Sequence, residues 1–412
     1  MRQFLCTFAL LAAVLPARAA DDQPKPNALT PKEIADGWIL LFDGETMFGW
    51  SVPEGDKWTI KDGLLAPQTG NKGVLLSTTE FGDCELRFEY QTRPGGQAQL
   101  LVACDRDVKP QKIEEGATLP PGRTVEVWPL RSLGAGWHRA ALTIKSGKIV
   151  EERVEAGGGG QGGSGGLVNP KPRRGHLGLA GNGFVVRNLK LRPLGTKPLF
   201  NGKDLSGWKK YEGDAKRARS DFTVTKEGWL HIKNGPGDLQ TEAQYGDFVL
   251  QLECISNGKH LNSGVFFRCR PGEYQNGYEA QIHNGFNPES PKEYTVEEYD
   301  PQTHELKDKK KVKSAALDYG TGAIYRRMPA RKQMAKDGEW FALTVIADGN
   351  HFATWVNGVQ VVDWTDNRPP SDNARNGCRL EKGPISLQGH DPTTDLSFRN
   401  LRIAELPAGE KK

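Results

Sequence analysis

The chain has 412 residues, with 55 basic against 51 acidic side chains and a formal net charge of +4. That length suits about two or three domains. Charge so evenly balanced excludes a nucleic-acid binder that works through a basic surface. The 49 glycines, 26 prolines and 10 tryptophans fit a globular strand-and-turn protein rather than a disordered or fibrous one.

Near its start the chain carries Arg2, an apolar stretch from Phe4 to Leu15, and Ala17-Arg18-Ala19. A positive start, a short apolar core and an A-x-A-like end are the pattern of a secretory signal over residues 1–20, too short to span a bilayer. The expectation is an exported protein, periplasmic or secreted, with no transmembrane segment. After Cys6 come Cys84, Cys104, Cys254, Cys269 and Cys378, an odd number with no Cys-x-x-Cys pair. That argues against a cysteine-built zinc site, and the five read as mostly buried, unpaired thiols.

Residues 21–36 are polar and Pro-rich, a linker. From residue 37 the chain says the same thing twice. Leu41-Phe42-Asp43-Gly44 with Gly49-Trp50 returns as Leu199-Phe200-Asn201-Gly202 with Gly207-Trp208. Phe81-Gly82-Asp83 returns as Tyr245-Gly246-Asp247, and Val186-Arg187-Asn188-Leu189 as Phe398-Arg399-Asn400-Leu401. At this spacing the copies are whole domains, over 37–195 and 196–407, followed by a tail at 408–412. The second copy carries an extra segment between Arg270 and Trp340.

Within each copy, short alternating runs are broken by Gly, Asn and Pro, and helical periodicity is nearly absent. Arg331 to Lys336 has room for one short turn. His351 to Val356 turning at Asn357-Gly358 into Val359 to Trp364 is the clearest hairpin, because Asn-Gly supplies the positive φ of a tight turn. The fold class expected is all-β, two jelly-roll β-sandwich domains in tandem. Gly157 to Gly166 reads as a flexible loop despite its literal Gly-x-Ser-x-Gly, since no strand-to-helix context surrounds it. The basic run Lys307 to Lys313 reads as the solvated tip of an inserted loop.

Candidate function concentrates on Tyr278-Glu279-Ala280-Gln281-Ile282-His283. With a period of two, Glu279, Gln281 and His283 share one face and Tyr278, Ala280 and Ile282 the other. The same test pairs Asn262 with Arg268 against Val265 and Phe267. It sets Ser386, Gln388 and His390 against Ile385 and Leu387, and Thr321 and Tyr325 against Ile324. Four such runs could line one concave surface, and their donors and acceptors suit a polyhydroxylated ligand. In the first copy Gln388 becomes Ala180 and His390 becomes Asn182, so function is expected in the second copy, with the first structural or accessory.

The pieces Asn262-Ser263-Gly264 to Arg268, Gly277-Tyr278-Glu279 to Gln281, Thr321-Gly322-Ala323-Ile324-Tyr325, Glu339-Trp340, Leu387-Gln388-Gly389-His390 and Phe398-Arg399-Asn400 resemble the 3-keto-disaccharide hydrolase domain family. Its members look like concanavalin A-type lectins and glucanases. They commonly follow the Glu-x-Gln strand with an aspartate, where this chain has His283-Asn284. The resemblance implies cleavage of glycosides oxidised at carbon 3, by removal of the carbon 2 proton, expulsion of the carbon 1 oxygen and addition of water. On that reading the base is His390 or Glu279, and Arg268 or a divalent cation polarises the ketone oxygen. Asn262, Gln281, His283, Tyr325 and Gln388 orient the sugar, and Glu279, His283 and His390 could hold a metal ion. The partner is a carbohydrate. The competing readings are a non-catalytic carbohydrate-binding module and an ordinary endoglucanase. The latter needs two flanking carboxylates, where the polar faces supply Glu279 alone.

Overall fold

Alternate residues along the strands of the second repeat are apolar, and two sheets bury them against each other. A computed structural model describes residues 25–407 except 53, 56, 69–72, 106–124, 132–133, 135, 157–158 and 165–172. The expected signal segment and the tail lie outside the described residues. An eight-stranded sheet runs in the order Asp221–Val224, Leu230–Lys233, Asp395–Glu405, Phe248–Ser256, Phe341–Asp348, His351–Val356 and Val359–Thr365, with Lys197–Pro198 at the Asp395–Glu405 strand. A five-stranded sheet runs Trp208–Lys210, Gly237–Thr241, Ser386–Gly389, Ser263–Phe267 and Tyr278–Ile282. All pairings are antiparallel. The core between them holds Leu239, Leu250, Val265, Ala280, Val345 and Leu387. This is the expected all-β sandwich. The Asn357-Gly358 hairpin forms as read, with φ of 48° and 77° at its two central residues.

The eight-stranded sheet is buried on both faces. Val249, Ile346, Ala353 and Trp355, on its far side, belong to the core of the first repeat. The Trp355 indole N–H donates to the Leu40 carbonyl at 2.9 Å, so the repeats share a tightly fitted seam.

The first repeat uses the same frame with longer strands. Among the described residues it forms one eleven-stranded sheet, threaded by Cys84–Cys104 and His176–Pro193. Leu86 and Phe88 at one end of the first long strand share a core with Leu100 and Val102 at the other, so the sheet folds over on itself. Gly181 sits at that corner with φ of 100°, and a Cβ there would lie 1.8 Å from the Gln97 carbonyl oxygen. The residues that the duplication preserves are structural ones. Trp50 and Trp208 donate to the carbonyls of Leu41 and Leu199. Arg187 and Arg399 pair with Glu89 and Glu253 and lie over the rings of Trp137 and Trp340. Asn188 and Asn400, both at φ 54°, place bulges in equivalent strands.

Four local expectations are corrected. The linker contains a helix, Pro31–Ala35, because Thr30 and Glu33 form a reciprocal capping box with proline at the first turn. Within the glycine run, Gly159–Ser164 pairs as a strand with Lys148–Ala156, whose backbone offers a free edge. Lys307 to Lys313 is not a loop tip but part of strand Leu306–Ser314. Its lysines pair with glutamates of Lys292–Tyr299: Lys309 with Glu297, Lys310 with Glu298 and Lys313 with Glu293. Arg331 to Lys336 forms no helix, since Arg331 and Lys332 reach across to Asp43 of the first repeat. The thiols of Cys84, Cys104, Cys254, Cys269 and Cys378 are buried and unpaired, as expected.

Trp355→Ala should lower stability by about 3–5 kcal/mol, because it empties a buried volume at the seam and orphans the Leu40 carbonyl. Urea unfolding followed by circular dichroism measures this, and a loss under about 1 kcal/mol would mean that the seam carries little of the fold.

Candidate functional site

The register of the five-stranded sheet decides which side chains meet. Leu239, Leu387, Val265 and Ala280 are neighbours across four strands and point into the core. One residue along, Gln240, Ser386, Phe266 and Glu279 are also neighbours, and they point the other way. Asp238 lies opposite Gln388, and Gly264 opposite Gln281, on that same face. The segment Thr321–Tyr325, read as a strand, is a turn that still pairs with the sheet edge. Gly322 N–H donates to Gln281, Gln281 N–H to Ala323 and Tyr325 N–H to Glu279. This face is not washed by solvent, for Gln281 and Ser386 are fully buried beneath the loops that cross it.

A cavity of about 200 Å³ opens on the face. It is lined by five of the residues expected from sequence, Asn262, Glu279, Tyr325, Gln388 and His390, together with Phe266, Gln275, Arg326, Arg327 and Arg375. Glu279 is half-buried, and its carboxyl makes no hydrogen bond among the described residues. Burial pushes that carboxyl up to about 8, with Asp318 and Asp238 adding to the effect and Arg375 and Arg326 opposing it. Gly264 leaves it room, since a Cβ there would stand 2.5 Å from a Glu279 carboxylate oxygen.

His390 sits just past the strand Ser386–Gly389, in a loop fixed by Thr394, whose hydroxyl accepts the His390 and Asp391 N–H groups. Its Nδ1 is 2.8 Å from the Asp391 carboxylate. Bonds to His390 and Thr393 hold Asp391 below the usual carboxylate range against the upward push of its burial. An ionised carboxylate only accepts, so Nδ1 carries a proton, and in the neutral imidazole Nε2 is then the nitrogen with the lone pair. Two further acceptors, Asn262 Oδ1 and Gln388 Oε1, are buried and unpartnered within the protein, the state expected of groups that receive ligand hydroxyls. Burial, and secondarily the Asp318 charge, raise the Tyr325 phenol.

Three expected residues stand elsewhere. Arg268 does not face the cavity: at the strand end its φ of 49° breaks the alternation, and its side chain turns into the seam between repeats. There it donates to the carbonyls of Gly246, Gly349 and Arg379 and pairs with Asp247 at 2.7 Å. Gln281 follows the alternation but is covered, donating to Asp318. His283 also lies outside the cavity lining; its Nδ1 accepts the Gly285 N–H, and burial lowers its proton affinity. The set Glu279, His283 and His390 is therefore not assembled as a metal site, and no group of three His, Cys, Asp or Glu among the described residues could hold a metal ion.

Sequence reading missed Asp391, Asp318, Asp238 and the three cavity arginines. Asp238 obeys the period-two rule within Gly237–Thr241 and was legible there; burial raises it to about 7, and it accepts the Gln275 N–H. With 1% exposure it does not flank an open bond, and Asp318 is committed to Asn262 and Gln281. Neither supplies the second exposed carboxylate that an ordinary glucanase requires.

The model of the 3-keto-alpha-glucoside-1,2-lyase-like domain matches residues 37–171 and 195–404. A 3-keto-disaccharide hydrolase of Bacteroides thetaiotaomicron is 34% identical over 93 residues, 18% of this chain and 31% of that protein. The matched stretch thus spans less than a third of the relative's length. A Parabacteroides distasonis protein named as a candidate glycosyl hydrolase superposes with a TM-score of 0.37 at 23% identity, over 52% of this chain and 94% of its own. A carbohydrate-binding module from Bacillus subtilis gives 0.30 at 15% identity, over 47% and 93%.

The raised Glu279 carboxyl makes stability pH-dependent. The folded protein holds this proton more tightly than the unfolded chain, where the value is 4.5. Its contribution is fully present below that value and is lost as pH rises through about 8. Glu279→Gln should therefore melt higher than the parent above pH 8, on the order of a few degrees, with the gap closing towards pH 4. A gap that stays constant from pH 4 to pH 9 in scanning calorimetry would contradict it.

Proposed function

Because the chain belongs to the 3-keto-alpha-glucoside-1,2-lyase-like domain family, we propose that this carbohydrate-active protein cleaves glycosides oxidised at carbon 3, in its second repeat. A ketone at carbon 3 acidifies the carbon 2 hydrogen. A base takes that proton, the electron pair forms the enolate, and its collapse breaks the bond from carbon 1 to the glycosidic oxygen. The leaving oxygen takes a proton, and water added across the resulting enone gives the free 3-keto sugar.

The observation that carries this reading is that two complementary proton carriers line the same cavity. His390 offers Nε2 as the base, oriented by Asp391 through Nδ1. Glu279, with its value near 8, is protonated at neutral pH and serves as the acid at the leaving oxygen. Arg375 takes the part that sequence gave to Arg268, since it lines the cavity and its charge is felt by Glu279. Asn262 Oδ1 and Gln388 Oε1 accept sugar hydroxyls, and the Tyr325 hydroxyl completes the wall. The first repeat, with Ala180 and Asn182 at the positions of Gln388 and His390, is assigned an accessory role.

The test is aglycone release from a 3-keto-glucoside and from the same glucoside unoxidised. Release from the first alone is expected, with Glu279→Gln and His390→Ala each losing about 10²–10⁴ in kcat while binding persists. Binding without release from the 3-keto form would overturn the proposal in favour of a lectin-like, non-catalytic carbohydrate binder.

A further inference from the structure

Several arginines that serve the fold in this chain have carboxylate partners. Arg174 pairs with Glu80, Asp247 and Asp348, Arg268 with Asp247, Arg368 with Asp366, and Arg399 with Glu253. The three that line the cavity do not. Arg326, Arg327 and Arg375 make no ion pair with any carboxylate among the described residues, and Glu279 is the one carboxyl in the lining. With Glu279 protonated at neutral pH, the lining itself holds three guanidiniums and no carboxylate, the nearest charges felt by Arg327 and Arg375 being Asp366, Glu297 and Asp238 outside it. An enolate accounts for one guanidinium.

The other two are carried by one turn, Arg326 exposed at its tip and Arg327 partly buried. Arg326 has a φ of 60°, a strained conformation for a side chain of its size, at the tip of a turn closed by reciprocal Ile324 and Met328 backbone bonds. Its guanidinium lies 5.3 Å from the centre of the Tyr325 ring. Arg327 donates to the Arg375 carbonyl at 2.7 Å, tying this turn to the loop across the cavity mouth. Burial, and then the Arg368 charge, lower its proton affinity against the opposing charges of Asp366 and Glu297, so a further negative charge would stabilise it.

We propose that the substrate carries an oxyanion, a carboxylate, sulfate or phosphate on the sugar or on its leaving group, which Arg326 and Arg327 receive at the cavity rim. Guanidinium matches the planar, multi-oxygen geometry of such groups and forms its strongest hydrogen bonds with them. This deepens, and rests on, the reading of the cavity as the cleavage site.

The experiment compares 3-keto-glucosides of 4-hydroxybenzoate and 4-hydroxybenzamide, which differ in charge but hardly in shape. A 6-O-sulfated 3-keto-glucoside of the benzamide places the anion on the sugar instead. One of the anionic substrates should exceed the neutral one roughly 10- to 100-fold in kcat/KM, and which one it is locates the anion. The ratio should fall towards unity in Arg326→Ala and shrink with added salt. A ratio near one in the parent protein, or one unchanged in Arg326→Ala, would overturn the inference. Calorimetric binding of the same three compounds to Glu279→Gln reads the preference without turnover. If nothing is cleaved, the cleavage proposal fails, while that binding ratio still decides for or against the anion site.

Discussion

Burial of one face of the five-stranded sheet is the constraint on which the site depends. Leu239, Leu387, Val265 and Ala280 are each fully inaccessible, and none can turn outward without opening the core. Their neighbours one residue along are thereby committed to the opposite face. Glu279 is committed in this way, partly desolvated in the cavity wall beside Gly264, whose lack of a Cβ leaves it space. Its raised proton affinity follows from that desolvation, beside Asp318 and Asp238 that deepen it.

The two repeats show how such a face is acquired on a shared frame. Both keep the indole-to-carbonyl bond, the Arg–Glu pair under a tryptophan and the left-handed asparagine bulge. Where the first repeat runs unbroken strands through Gly96 and Gly181, the second breaks them and inserts loops carrying Asn262 and His390. The bridges Phe81 to Gly175 and Tyr245 to Gly383 mark the equivalent positions. Breaking a strand frees side chains at the sheet rim from packing duty, and the extra segment after Arg270 then roofs the cavity with Tyr325 and the arginine turn.

This division explains what the sequence could reveal. Glu279, Gln388, Tyr325 and Asn262 lie on or beside regular strands, where alternation is enforced by the core and a period of two is a sound guide. Arg268 defeated the same rule because its backbone enters the left-handed region one residue after the strand ends. Gln281 obeyed the rule yet is sealed from the cavity, since alternation gives a face and not what covers it. Asp391, Asp318, Arg326 and Arg375 sit in turns and short irregular segments, which have no period, and their placement comes from tertiary contacts. The helix Pro31–Ala35 had a legible capping box and was hidden only by the prolines around it.

Proton transfer at carbon 2 is the step that separates this chemistry from ordinary glycoside hydrolysis, and deuterium incorporation reads it directly. A 3-keto-glucoside is cleaved in D2O and the released sugar examined by NMR, with a control for uncatalysed exchange of the product. Elimination followed by water addition places one deuterium at carbon 2 of every sugar released by the enzyme. Release of a sugar that keeps its original carbon 2 hydrogen would contradict elimination on this face of the sheet.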